Sequence, residues 1–274
     1  MGIFNGDAKM CLAVIAWHVH PDYPLILVAN RDEFYTRPTR SAAWWGQPVS
    51  LLAGRDEKAG GTWLGVNRHG RFALLTNVRA SIERNPNALS RGSLVVAALQ
   101  SCQPVSLWLA HETESGSTYN GFNLLVGEAS RNGELLYYSN RLGQPPKLLA
   151  PGIYGLSNAF LDTPWPKLTR AVVRFSCQVA SYMDQSALLE LLADHELARD
   201  QDLPSTNVPL EWERALSAIK VRTNDYGTRS TTLITVRRDG LVSFIERQFN
   251  IADPDCYRVH QYDFVINAKV PSNS

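Results

Sequence analysis

A chain of 274 residues that is 45% apolar is long enough to bury a sizeable core, and a formal net charge of +1 lacks the basic excess expected of a nucleic-acid or acidic-membrane binder. Its four cysteines, Cys11, Cys102, Cys177 and Cys256, are widely spaced and form no Cys-x-x-Cys pair, so zinc, thioredoxin-like and covalent haem motifs lack support. No run approaches the roughly 20 apolar residues that span a membrane, and the first ten residues contain no apolar signal core.

The expectation is a cytoplasmic protein without a transmembrane segment and with no nucleic-acid, nucleotide or zinc partner. Residues 1–10 read as a leader, an upstream start or a cloning remnant, residues 11–265 as one domain, and residues 266–274 as a frayed tail. Residues 12–17 and 25–29 are short β-rich runs around the turn His18-Val19-His20-Pro21-Asp22-Tyr23-Pro24, which predicts a hairpin starting at Cys11. A loop is expected from Pro38 through Trp44-Trp45-Gly46 to Gly60-Gly61. A second hairpin follows, residues 62–66 and 71–76, turning at Asn67-Arg68-His69-Gly70. Residues 91–102 and 105–111 have helical composition, and 122–126 and 135–139 read as strands. Further helices are expected from Trp165-Pro166-Lys167 to about Met183 and over 186–197. Residues 230–236 and 242–249 flank Arg238-Asp239-Gly240 as a third hairpin. Runs of strands and runs of helices, without strict alternation, point to an α+β fold with mainly antiparallel sheet.

Cys11 follows Met10 directly. A chain that begins at Cys11 carries a thiol and an α-amine on one carbon, with reference pKa values of about 8.5 and 7.7–8.0, and so joins a nucleophile to a base. The run Asn30-Arg31-Asp32-Glu33 ends a strand. There Asp32 is positioned to face Cys11 and hold its amine, and Arg31 to bind an anion or brace the loop. Asn77 and Asn158 end apolar runs, and if those ends converge on Cys11 their amides can stabilise a tetrahedral oxyanion. Lys167 and Arg170 lie on the first turns of a helix. His18 and His20 share a side if they lie on a strand, and they supply candidate axial ligands for haem, with Trp17, Trp44, Trp45 and Trp63 as pocket walls.

Met10-Cys11, the Asn30-Arg31-Asp32-Glu33-Phe34 run, Gly60-Gly61-Thr62-Trp63-Leu64-Gly65 and Leu75-Thr76-Asn77 occur in this order. Tyr154-Gly155-Leu156-Ser157-Asn158-Ala159, Tyr226-Gly227-Thr228-Arg229 and Phe244-Ile245-Glu246-Arg247 follow. Together they resemble the NRDE family, also called the transport and Golgi organisation protein 2 family. That resemblance implies a four-layer αββα sandwich of the N-terminal-nucleophile hydrolase type. A weaker likeness to that superfamily's cysteine branch implies Cys11 as nucleophile, Asp32 as the residue orienting its amine, Asn77 as an oxyanion donor and Asn158 as a second catalytic Asn. Lys167 or Arg170 then stands where the branch keeps an arginine, while Asn30, Arg31, Glu33, Trp63 and Arg229 belong to the pocket or its frame.

The family's association with intracellular haem trafficking implies a non-covalent haem carrier, with His20 the first axial ligand, His18 and His69 in reserve, and haem-acceptor proteins as partners. The residues themselves point more directly to the alternative, a Cys11-dependent amidohydrolase acting on a small non-peptide amide. A scaffold domain without catalysis is the third reading.

Overall fold

The computed structural model describes residues 11–267 apart from 47–49, 80–84, 115–117, 131, 182 and 207, so the expectations for residues 1–10 and 268–274 lie outside the described residues. In chain order the elements are β1 (Cys11–Trp17), β2 (Leu25–Phe34), β3 (Thr39–Trp45), β4 (Leu51–Asp56), β5 (Leu64–Asn67), β6 (Arg71–Asn77), α1 (Gly92–Gln100) and α2 (Val105–Glu114). They continue as β7 (Phe122–Glu128), β8 (Leu135–Ser139), β9 (Lys147–Leu148), β10 (Gly152–Leu156), α3 (Pro166–Ala180), α4 (Gln185–Leu191), α5 (Leu210–Ala215), β11 (Tyr226–Val236), β12 (Leu241–Phe249) and β13 (Tyr257–Val265).

The strands form two sheets, ordered β10-β1-β2-β11-β12-β13 and β3-β4-β5-β6-β7-β8-β9. Strand alternation then builds the layers. In β1, Ala13, Ile15 and Trp17 face the second sheet and pack with Phe72, Leu74, Leu125 and Phe244. Leu12, Val14 and Ala16 face the other way, onto Leu168 and Phe175 of α3 and Leu188 of α4. On the far side, Ala73 and Val126 meet Leu94, Val95 and Leu99 of α1 and Leu109 of α2. Helices, sheet, sheet, helices is the αββα sandwich, and the three hairpins lie where periodicity places them.

The loop expected between Pro38 and Gly61 instead contains β3 and β4. Pairing with β5 overrides a local composition of Trp, Gly and Pro that reads as irregular. The Gly60-Gly61 pair answers to geometry. Gly60 has φ +78°, and a Cβ on Gly61 would come within 2.5 Å of the Gly92 backbone, where the loop meets the start of α1. The helix expected to reach residue 197 stops at Leu191, because the chain turns away to let the Lys220 amide donate to the Asp194 carbonyl. An edge strand, β13, was not legible in the pattern, since most of its residues are exposed. Ile266 and Asn267, expected to fray, donate backbone hydrogen bonds to the carbonyls of Gly240 and Arg68.

Candidate active site

Cys11 is the first residue of β1, and its odd position puts its side chain on the face turned toward the second sheet. There it lines a cleft of about 550 Å³ together with Arg31, Asp32, Glu33, Arg37, Trp63 and Asn77. The mouth is formed by the loop after β4 and by Arg91 and Gly92 at the start of α1.

The nitrogen of Cys11 donates to Asn158 Oδ1 at 3.0 Å, and the Ser157 hydroxyl donates to the Cys11 carbonyl at 3.0 Å. Asn158 Nδ2 in turn donates to the Asn77 carbonyl at 2.8 Å, which ties the end of β6 to the residue after β10. Asn158 thus donates to Asn77 and accepts from Cys11, so it holds the nitrogen of the candidate nucleophile. Asn77 lines the cleft itself.

The Asn30-Arg31-Asp32-Glu33 run divides between the two faces of β2. Asn30 points to the helices, donating to the carbonyls of Leu192 and Ile219 and accepting from Thr231. Arg31, directly across from Cys11 in the ladder, lies over the Trp63 ring at 4.2 Å and donates to Thr39 and Glu33. Asp32 turns back to the helix side, where Thr228 donates to its Oδ1 at 2.6 Å and its Oδ2 has no hydrogen-bond partner. Glu33 accepts from the Phe34 amide and pairs with both Arg31 and Arg37. Alternation thus gives one motif two jobs, wall and floor.

Lys167, the second residue of α3, is 1% exposed and its Nζ has no hydrogen-bond partner. Its charge and that of Asp32 act on each other. Arg170, one turn on, donates to the Glu196 carbonyl and approaches Asp194, which takes it away from the cleft. The structure therefore selects Lys167 over Arg170. Arg229 sits at a bulge in β11, and its Nη1 donates to the carbonyls of Phe34, Tyr35 and Arg37, clamping the turn after β2.

Two ion pairs escaped sequence reasoning. Arg79, two residues past Asn77, donates from its backbone to the Asn158 carbonyl, and its side chain pairs with Glu213 of α5 at 2.8 Å. Arg37 and Asp56 form a two-pronged ion pair in the cleft wall. No local signal separates these four from surface charges.

Burial and the Asp32 charge push the Cys11 thiol up to about 12. Burial likewise pushes Asp32 up to about 6, against Lys167 and the Thr228 hydrogen bond. It pushes Lys167 down to about 8, against Asp32. At neutral pH the thiol is protonated, Asp32 is mostly an anion and Lys167 mostly a cation. The thiol therefore needs a proton acceptor, and no histidine stands among the described residues lining the cleft.

The expected haem ligands do not converge on this cleft. β1 is seven residues long, so the turn bearing His18 and His20 lies about 20 Å from Cys11. His20 is buried, its Nδ1 accepts from the Asp22 amide, and its ring edge meets Tyr23 at 5.1 Å. His18 stands against Trp17, and His69 is half-buried on the β5–β6 turn with Nδ1 3.4 Å from the Asn267 carbonyl. Trp17 and Trp63 are spent on the inter-sheet core and on Arg31. The three histidines thus stand outside the cleft that Cys11 lines. Among the described residues no group of three or more His, Cys, Asp or Glu is placed to hold a metal ion, and no helix is long and apolar enough to cross a membrane.

Residues 10–251 match the family described as Transport and Golgi organisation 2. The chain belongs to this family. It is 38% identical over 275 residues to the bovine Transport and Golgi organization protein 2 homolog, covering 93% of this chain and 99% of that one. It is 34% identical over 277 residues to the human homolog, covering 94% and 100%. Among solved structures, a Caenorhabditis elegans N-acylethanolamine-hydrolyzing acid amidase ortholog aligns with a TM-score of 0.47 and 12% identity, over 82% of this chain and 92% of that one.

Proposed function

We propose that the chain is a cysteine amidohydrolase of the N-terminal-nucleophile type, acting on a non-peptide amide once Cys11 is its first residue. The observation that carries this reading is the hydrogen bond from the Cys11 nitrogen to Asn158 Oδ1, which holds that nitrogen beside a thiol lining the cleft. A side chain from the end of β10 accepts from this nitrogen, an arrangement that suits a nucleophile whose base is its own α-amine. The family match starting at residue 10, next to Cys11, supports the same reading.

In the reaction the thiol proton passes to the α-amine, and Sγ attacks the substrate carbonyl carbon. Asn77 donates to the developing oxyanion. The C–N bond breaks as the proton moves from the ammonium to the leaving nitrogen. Water, deprotonated by the α-amine, then attacks the thioester, and Cys11 leaves as the thiol. One water is consumed, and an acid and an amine are released. All four cysteines are unpaired, which supports a reducing, cytoplasmic compartment.

The test is the intact mass of protein made from its natural gene, followed by turnover of a panel of small N-acyl amides. A mass that starts at Cys11, with hydrolysis abolished by Cys11→Ala, is expected. A mass that retains residues ahead of Cys11 removes the mechanism.

A further inference from the structure

A sheet edge presents unpaired backbone donors and acceptors, and proteins shorten, bend or cover it to keep other chains from pairing there. Among the described residues the two sheets have four edge strands, β10, β13, β3 and β9. Three of them are closed. On β10, the Gly155 amide donates to Asp162 Oδ1 at 2.7 Å, and its carbonyl accepts from the Asp162 amide at 2.8 Å. On β3, the pairing with β4 slips between Arg40 and Ala43. There the Ala42 amide donates to Glu246, and the Ala42 carbonyl accepts from the Tyr262 hydroxyl. β9 has only two residues, Lys147 and Leu148, behind Pro145 and Pro146.

β13 has none of these devices. Its nine residues pair with β12 in unbroken register, and its outer edge meets no strand among the described residues. It contains no Pro, Gly or Lys. Alternation turns Tyr257, Val259, Gln261, Asp263 and Val265 to the helix side of the sheet, with Tyr257 44% and Val265 59% exposed. A groove of about 650 Å³, lined by Tyr257, Val259, Met183 and Leu189, lies open beside them. The Tyr257 ring is held by Phe249 at 5.9 Å and by Arg247 at 4.7 Å.

We propose that β13 is the contact of a homodimer, pairing antiparallel with β13 of a second copy and continuing the six-stranded sheet across a two-fold axis. The strand is complementary to itself. One antiparallel register pairs all nine residues, the one that sets Gln261 against the partner's Gln261. In it Tyr257 meets the partner's Val265, an aromatic against a β-branched side chain, and symmetry repeats the pair at the other end. On the opposite face Arg258 meets the partner's Phe264, and His260 meets the partner's Tyr262. Arg258 and Asp263 have opposite sign and lie toward opposite ends of the strand. Antiparallel pairing therefore brings each to the end that carries the other, and no like charges come face to face. A two-fold contact also consumes both edges at once, so it closes without starting a fibre. Cys11 lies on β1, four strands and about 19 Å away, so the contact leaves the cleft open and is independent of the hydrolase reading.

The experiment is sedimentation velocity of the full chain across roughly 1 to 100 μM, with two variants at the exposed Gln261. The parent is expected to reach twice the mass of the chain within this range. Gln261→Glu sets two carboxylates against each other on the axis, beside Asp263 of each copy, and is expected to weaken the dimer about tenfold. An equal mixture of Gln261→Glu with Gln261→Lys is expected to regain the parent's dimer fraction, because Glu then faces Lys. That recovery separates a lost contact from a variant that fails to fold. A parent that stays at the mass of one chain overturns the proposal and leaves the edge to a strand of another protein. A dimer that Gln261→Glu does not weaken, or a mixture no more dimeric than Gln261→Glu alone, also overturns it. So does a dimer that forms only after residues 268–274 are removed, which assigns the edge to the chain's own end.

Discussion

Asn158 Oδ1 accepts the hydrogen of the Cys11 nitrogen at 3.0 Å across 147 residues of chain, and the same side chain donates to the Asn77 carbonyl at 2.8 Å. One amide thus joins β1 to the end of β6, in the second sheet, at the point where the cleft opens. Asn158→Ala leaves the Asn77 carbonyl without this donor and the Cys11 nitrogen without its acceptor. A loss of about 1–3 kcal/mol in urea-induced unfolding is expected, together with loss of amide turnover. Asn158→Asp keeps an acceptor for Cys11 but not the donor to Asn77. It is expected to be nearly as unstable and to retain more Cys11 alkylation by iodoacetamide than the Ala variant.

Glu246 is almost wholly buried on β12, where it accepts from the Ala42 amide at 2.7 Å, and burial pushes its carboxyl up to about 7 from 4.5. A raised folded value means that the fold favours the protonated acid. The group's contribution is therefore best at low pH and is lost as pH rises from about 4.5 through 7. Glu246→Gln keeps an acceptor and removes the charge. Chemical denaturation should find it equal to the parent near pH 4.5 and more stable at pH 8, by on the order of 2–3 kcal/mol.

Arg229 holds three carbonyls of the turn that follows β2. A lysine is shorter, and its ammonium lacks the rigid guanidinium plane that sets Nη1 among them. Arg229→Lys is expected to lower stability by about 2–3 kcal/mol in a thermal melt read against the parent. By loosening the turn that carries Arg37, it should also reduce turnover without changing the rate of Cys11 alkylation.

The histidine geometry gives a prediction of the opposite kind. Changing His18, His20 and His69 together to Ala is expected to leave amide turnover intact. Any Soret change on adding haem should be the same as in the parent. A saturable, histidine-dependent Soret shift would favour the carrier reading over the hydrolase one.

Much of the framework was legible in the chain. The hairpins at His69-Gly70 and Asp239-Gly240 carry their own turn chemistry, and α3 carries an apolar stripe behind Pro166. β3 and β4 were not legible, because their pairing partners, not their composition, make them strands. In the site, Cys11, Asp32, Asn77 and Lys167 could be named from order and resemblance. Arg79 and Glu213 could not, since a buried ion pair formed across 134 residues resembles two surface charges when read locally.

Sequence by itself determined which residues lie on which face of each strand, because side chains alternate at a period of two that the chain cannot escape. That period put Cys11, Arg31 and Glu33 on one face of the sheet and Asn30 and Asp32 on the other, with Asp32 still reaching the cleft at the strand's end. Tertiary structure alone decided what meets across those faces. It buried Lys167 and drew Arg170 away to Glu196, set Asn158 against the Cys11 nitrogen, and left His20 at the far end of β1. The physical reason is that partners more than a hundred residues apart are selected by packing and desolvation, and neither quantity exists until the two sheets close on each other.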